Sequence, residues 1–153
     1  DFIQNNPIEI SIPLLQAIHY KIQGKVLEAT GAYQRQISQN PLDPTPHFLL
    51  AKMYLLVGDK EKAKVQFKWT KLKLSDIEGV KFPFLYLGLL QYYQQESPED
   101  IIDIKSITLD QCRGNKRALE QLKEIAKLIP DQRFKTQINE ELDAITTVEI
   151  EEK

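Results

Sequence analysis

The sequence predicts an all-α fold, a solenoid of helix–turn–helix units closed by a C-terminal helix. Three observations carry that prediction. Small, aromatic and glycine residues repeat at an interval of 34 residues. Single glycines fall where a helix would have to stop and reverse. The C-terminal stretch DQRFKTQINEELDAI (131–145) places Phe134, Ile138, Leu142 and Ile145 on one helical face.

The repeat is explicit when the chain is laid against itself. Ala17 falls on Ala51, Tyr20 on Tyr54, Gly24 on Gly58, Ala29 on Ala63, and Tyr33 on Phe67. Alanines let two helices approach closely, and the aromatics fill the space beside them. Gly24 and Gly58 sit where a left-handed C-cap ends the first helix of each unit. Asp59 follows and can N-cap the second helix. Pro41 comes after the second helix of the first unit, where it stops a helix without breaking one. The units read as 10–42 and 44–76.

A third unit, 81–130, is irregular. FPFLYLGLLQYYQQ (82–95) reads as its first helix, with the pair Leu87–Gly88. NKRALEQLKEIAKLIPD (115–131) carries Ala118, Leu122, Ile125 and Pro130 at second-helix spacing. Between them ESPEDIIDIKSITLDQCRG (96–114) reads as an insertion, an ordered flap or a contact particular to this protein. A capping helix over 131–147 closes the stack, and the tail EIEEK (149–153) is expected to fray.

These features together resemble the tetratricopeptide repeat, on Ala17, Tyr20, Gly24, Ala29, Tyr33 and Pro41 and their second-unit counterparts. The match departs at Ser75, where the family has proline, and at Gln91, where tyrosine is expected. The resemblance implies a non-catalytic module that binds another protein. The run from Ala118 to Asp131 is also similar to the end of the periplasmic tetratricopeptide domains that hold apocytochromes during cytochrome c maturation.

Bulk composition is compatible. The 153 residues are 42% hydrophobic and 27% charged, with a net charge of -2. That charge does not favour nucleic acid as a partner. Cys112 is the single cysteine, so no internal disulfide framework is possible. No apolar run is long enough to span a bilayer. The chain begins at Asp1 rather than Met, which leaves room for an upstream signal, anchor or domain. Both a periplasmic, membrane-associated setting and a cytoplasmic one stay open. Membrane association is expected only through such an upstream segment or a partner.

The search for chemistry is thin. His19 and His47 fall within expected first helices, where packing is the ordinary role. Cys112 has no histidine at a dyad spacing. The glycines are scattered singly, so no phosphate loop forms. No catalytic residue, cofactor or metal site is expected.

The resemblance places the first helix of each unit on a concave face. Its inward positions would be Leu14, Ile18, Lys21 and Ile22; then Phe48, Lys52, Leu55 and Leu56; then Leu85, Leu89, Tyr92 and Tyr93. Of these, Leu14, Ile18, Lys21, Phe48, Lys52, Leu55, Tyr92 and Tyr93 are the candidate partner-binding residues. The groove suits an extended segment or an amphipathic helix with bulky apolar anchors and an acid. The competing reading has the closing helix or the 96–114 segment filling it from within. The subclass that grips a chaperone's C-terminal carboxylate needs basic and asparagine side chains where this chain has Leu14, Ile18 and Phe48; only Lys52 is basic. In DKEKAKVQFKWTKLK (59–73), Lys60, Lys64, Lys68 and Lys71 form a stripe. It is either a solvated face or a docking stripe for an acidic protein, anionic lipid or, last, nucleic acid. The expected function is an adaptor or assembly factor for a larger, membrane-associated complex. The alternative is a secretion or export chaperone that holds an unfolded segment.

Overall fold

The computed structural model describes the backbone of residues 12–22 and 24–152 and the side chains of 12–18 and 24–147. Among the described residues it contains eight α-helices and no strand, so the chain is all-α. The sequence reads as one domain over 1–153; within it the chain forms two compact units, Asp1–Glu78 and Gly79–Lys153.

The first unit holds α1 (Ile12–Ile22), α2 (Val26–Gln39), α3 (Pro44–Leu56) and α4 (Lys60–Ser75). Its turns follow the glycines. Gly24 and Gly58 have φ of 75° and 81°, the left-handed region that costs a side-chain-bearing residue. At the end of α3, Asp59 N–H donates to Tyr54 O at 2.9 Å and Gly58 N–H to Leu55 O at 3.1 Å. That pair of bonds is a Schellman motif, which satisfies carbonyls the helix end would otherwise leave bare. Asp59 then starts α4, its carboxylate accepting from Lys62 N–H at 3.1 Å. Asp43 does the same for α3, accepting from Thr45 N–H at 3.0 Å. Pro44 opens α3, where its missing N–H costs nothing.

Leu14 and Ala17 of α1, Ala29, Ala32 and Tyr33 of α2, and Leu50 and Met53 of α3 form one core. All four repeated alanines, Ala17, Ala29, Ala51 and Ala63, are fully buried. Tyr33 and Phe67 are buried as well, so the small–aromatic alternation read from the sequence is an interior pattern. The Phe48 ring meets Phe67 edge-on at 5.8 Å and ties α3 to α4.

The second unit holds α5 (Pro83–Glu96), a short 3-10 turn (Pro98–Asp100), α6 (Ile102–Cys112), α7 (Lys116–Ala126) and α8 (Gln132–Glu152). Here one expectation changes. The segment 96–114 is a structural helix with its lead-in turn. Ile101, Ile104, Leu109 and Cys112 enter the same core as Leu87 and Leu90 of α5, Leu119 and Leu122 of α7, and Phe134 and Ile138 of α8. The spacing of Ile101, Ile104, Thr108 and Cys112 is helical, and all four are buried. The next helix after α5 is therefore α6, reached through the 3-10 turn and sharing its core, rather than the 115–131 stretch that the second-helix spacing points to. The closing helix also runs further than expected, through 149–152.

Polar contacts bind α6 to its neighbours. Gln111 Oε1 accepts from Phe82 N–H at 2.8 Å. Lys105 Nζ meets Asp131 Oδ2 at 2.6 Å, and Asp131 also accepts from Phe134 N–H at 3.0 Å as the cap of α8. Lys105 holds the Asp131 carboxyl below the usual carboxylate range, helped by that backbone N–H. Arg113 Nε reaches Glu141 at 3.1 Å. Gly114, at φ 78°, makes the turn into α7, and Asn115 caps it by accepting from Ala118 N–H at 3.0 Å.

Candidate partner-binding faces

The first unit presents an apolar face with a lysine in it. On α3, Phe48 is half-buried and Lys52 Nζ lies 5.5 Å from the centroid of its ring. Leu55, one turn on, is 37% exposed, and Ile18 of α1 is 39% exposed. Leu15 and Leu56 add to the exposed apolar surface of the same two helices. Leu14 does not belong with them. It is 1% exposed inside the core, one turn before Ala17 on the same buried stripe. The Lys21 side chain lies outside the described residues. Tyr92 and Tyr93 are in the second unit, half-buried, with their rings edge to face at 5.1 Å. Tyr93 packs against that unit's core. Burial, then the neighbouring Tyr92 and Asp100, push its phenol pKa up.

The lysine stripe lies on α4. Lys60, Lys64 and Lys68 are exposed and Lys71 is half-buried. Beside them runs a feature the charge pattern hides. Val65, Trp69 and Leu72 are 51%, 44% and 49% exposed. They border a shallow apolar depression of about 300 Å³ together with Lys68. The Trp69 ring stacks on His47 at 6.2 Å and lies under Lys73 Nζ at 5.4 Å. His47 itself is buried, with Nδ1 2.7 Å from Gln66 Oε1. The signal in the sequence was the spacing Val65, Trp69, Leu72 within a lysine-rich helix.

A second, open cleft of about 730 Å³ lies between α7 and α8. Lys116, Arg117, Lys123 and Lys127 line it with Glu120 and Glu124. Lys127 is already paired with Glu124 at 2.9 Å, so the cleft is of mixed charge.

Groups for chemistry are few among the described residues. Cys112 is fully buried, and burial pushes its thiol pKa up to about 12, so it is not a nucleophile in the folded chain. No group of three His, Cys, Asp or Glu side chains is placed to hold a metal ion among the described residues. No described helix is long and apolar enough to cross a membrane. Compared with models of known protein families and with curated protein sequences, the chain matches none.

Proposed function

We propose that the chain is a non-catalytic protein-binding module, built from tetratricopeptide-like helix pairs and acting as an adaptor or assembly factor for a larger complex. The observation that carries this reading is the exposure of Leu55 and Lys52 beside the half-buried Phe48 on α3, with Ile18 and Leu15 exposed on α1. Those side chains flank a core in which every repeated alanine is buried. A helix that spends bulky apolar residues on solvent beside a well-filled core has a use for them outside the chain. The face fits a segment with one or two apolar anchors and a carboxylate for Lys52.

The support for the repeat reading is the buried alanine–aromatic pattern, the two left-handed glycines and the Asp59 cap, all at the spacing read from the sequence. The test is Phe48→Ala combined with Lys52→Glu, with binding measured against partners captured from the source organism. We expect binding to fall at least about tenfold while circular dichroism stays native. Unchanged binding with a native spectrum would move the partner site off this face. What is captured separates the two versions of the function. A stable folded complex supports the assembly factor, whereas stoichiometric capture of unfolded export substrates supports a secretion chaperone.

A further inference from the structure

We propose that the solvent face of α4 is a second docking surface, a socket for an acidic amphipathic helix of a partner protein. It is separate from the α1 and α3 face and does not depend on it.

The argument starts from register. The four residues around the depression are Val65, Lys68, Trp69 and Leu72. They stand at i, i+3, i+4 and i+7 of one helix. That is the set of four side chains that makes a hole for a knob from a facing helix in knobs-into-holes packing. The buried face of α4 is elsewhere: Ala63, Phe67, Thr70 and Leu74 carry it. At a rotation of about 100° per residue, Val65, Trp69 and Leu72 fall within about 60° of arc on the opposite side. This helix therefore has two apolar stripes, one spent on its own unit and one unspent.

The charges choose the occupant. Around the unspent stripe, Lys64 and Lys68 stand on one flank and Lys62 and Lys73 on the other. Over its whole length α4 carries six lysines, at 60, 62, 64, 68, 71 and 73, against one acid, Glu61. An apolar seam with like charge on both flanks is the arrangement of a and d positions bordered by e and g positions. Its complement is a helix with an apolar seam bordered by glutamate or aspartate. The form of the site favours a helix over a membrane surface. Trp69 is 44% exposed, and its ring is placed by a stacking contact with His47 on one side and Lys73 Nζ 5.4 Å from its centroid. A shallow depression among four side chains of one helix receives a single knob from a facing helix, whereas a bilayer calls for a broad apolar face of protruding aromatics.

Trp69 is the only tryptophan of the chain, so the site carries its own reporter. The probe is a synthetic peptide of about three heptads with leucine at a and d and glutamate at e and g. We expect a saturable blue shift of Trp69 emission that weakens as salt is raised. Leu72→Asp should weaken binding at least about tenfold, with a native circular dichroism spectrum because Leu72 is exposed. Lys64→Glu with Lys68→Glu should also lose the acidic peptide and should gain the matching peptide with lysine at e and g.

Several results would overturn the proposal. One is the absence of a saturable shift with the acidic peptide. Others are equal binding of the acidic and basic peptides by the wild-type chain, or full binding by Leu72→Asp. A shift produced by phosphatidylglycerol vesicles but not by the peptide would assign the face to lipid instead. A shift that follows the chain's own concentration would assign it to a second copy. All these changes lie on α4, so their failure leaves the α1 and α3 reading untouched.

Discussion

The first unit is held by small residues and turns, the second by a dense core laced with side-chain bonds. In the first, buried alanines bring helices together, and left-handed glycines with aspartate caps set the reversals. In the second, Lys105–Asp131, Arg113–Glu141 and Gln111–Phe82 link elements distant in sequence. The solvent faces differ in the same sense. Among the described residues, eleven of the sixteen large exposed hydrophobics lie before residue 79, so exposed apolar surface is concentrated in the first unit. A regular pattern needs few residues to specify the fold, which leaves more bulky side chains on the surface of the first unit. The second unit buries more of its apolar residues in one core, including Ile101 and Ile104 of the 96–114 segment, while Ile102 and Ile107 stay exposed.

The largest effect is expected from Ile104→Ala. A surface flap would tolerate the change, whereas a core helix should lose about 2–5 kcal/mol of unfolding free energy in urea. A loss below about 0.5 kcal/mol would return 96–114 to the status of an insertion. Gly58→Val and Gly114→Val come next. Each glycine is at positive φ, so each substitution should cost roughly 1–2 kcal/mol and lower the melting temperature. Equal losses would mean that both units rely on the same turn chemistry; a wild-type melting temperature for either would remove its turn from the account.

Two aspartates, one in each unit, respond to pH in opposite senses. The Asp131 carboxyl is held low by Lys105, so its contribution is present above the ordinary carboxylate range, about 3.9, and is lost as pH falls through the folded value. Asp131→Asn should therefore be less stable than wild type at neutral pH, with the gap closing in acid. Asp43 behaves oppositely. Burial pushes its carboxyl up, against the pull of Thr45 N–H and His47. Its contribution is present below the ordinary range and is lost as pH rises through the raised folded value. Asp43→Asn, which keeps a capping oxygen, should match or exceed wild type at neutral pH and lose that advantage in acid. Denaturation midpoints at neutral and acid pH read both, and parallel pH trends would undo the contrast. The smallest effect concerns Cys112. It should resist a thiol reagent in the native chain and react at once when unfolded; rapid native labelling would contradict its burial.

Much of the first unit was legible because its cues are local. A glycine at a helix end, an aspartate one residue later and an alanine on each buried stripe act within a turn or two of themselves. The closing helix was legible for the same reason: Phe134 and Ile138 are buried and Leu142 packs at the core's edge, as their shared face requires. The second unit was harder. Its acidic residues and β-branched isoleucines masked a helical period that only the packing of α6 makes plain. Leu14 was misplaced because a helix position on the rim of a buried stripe differs from one inside it by a small rotation.

Local sequence is enough to specify an all-helical chain, the places where helices reverse and the residues whose size sets how closely they pack. These follow from backbone sterics and side-chain volume, which act locally. Packing between helices is what puts Ile101, Ile104, Leu109 and Cys112 in the core and Leu14 in the interior, and what leaves Val65, Trp69 and Leu72 exposed. Burial depends on which surfaces other segments cover, and no residue carries that information alone.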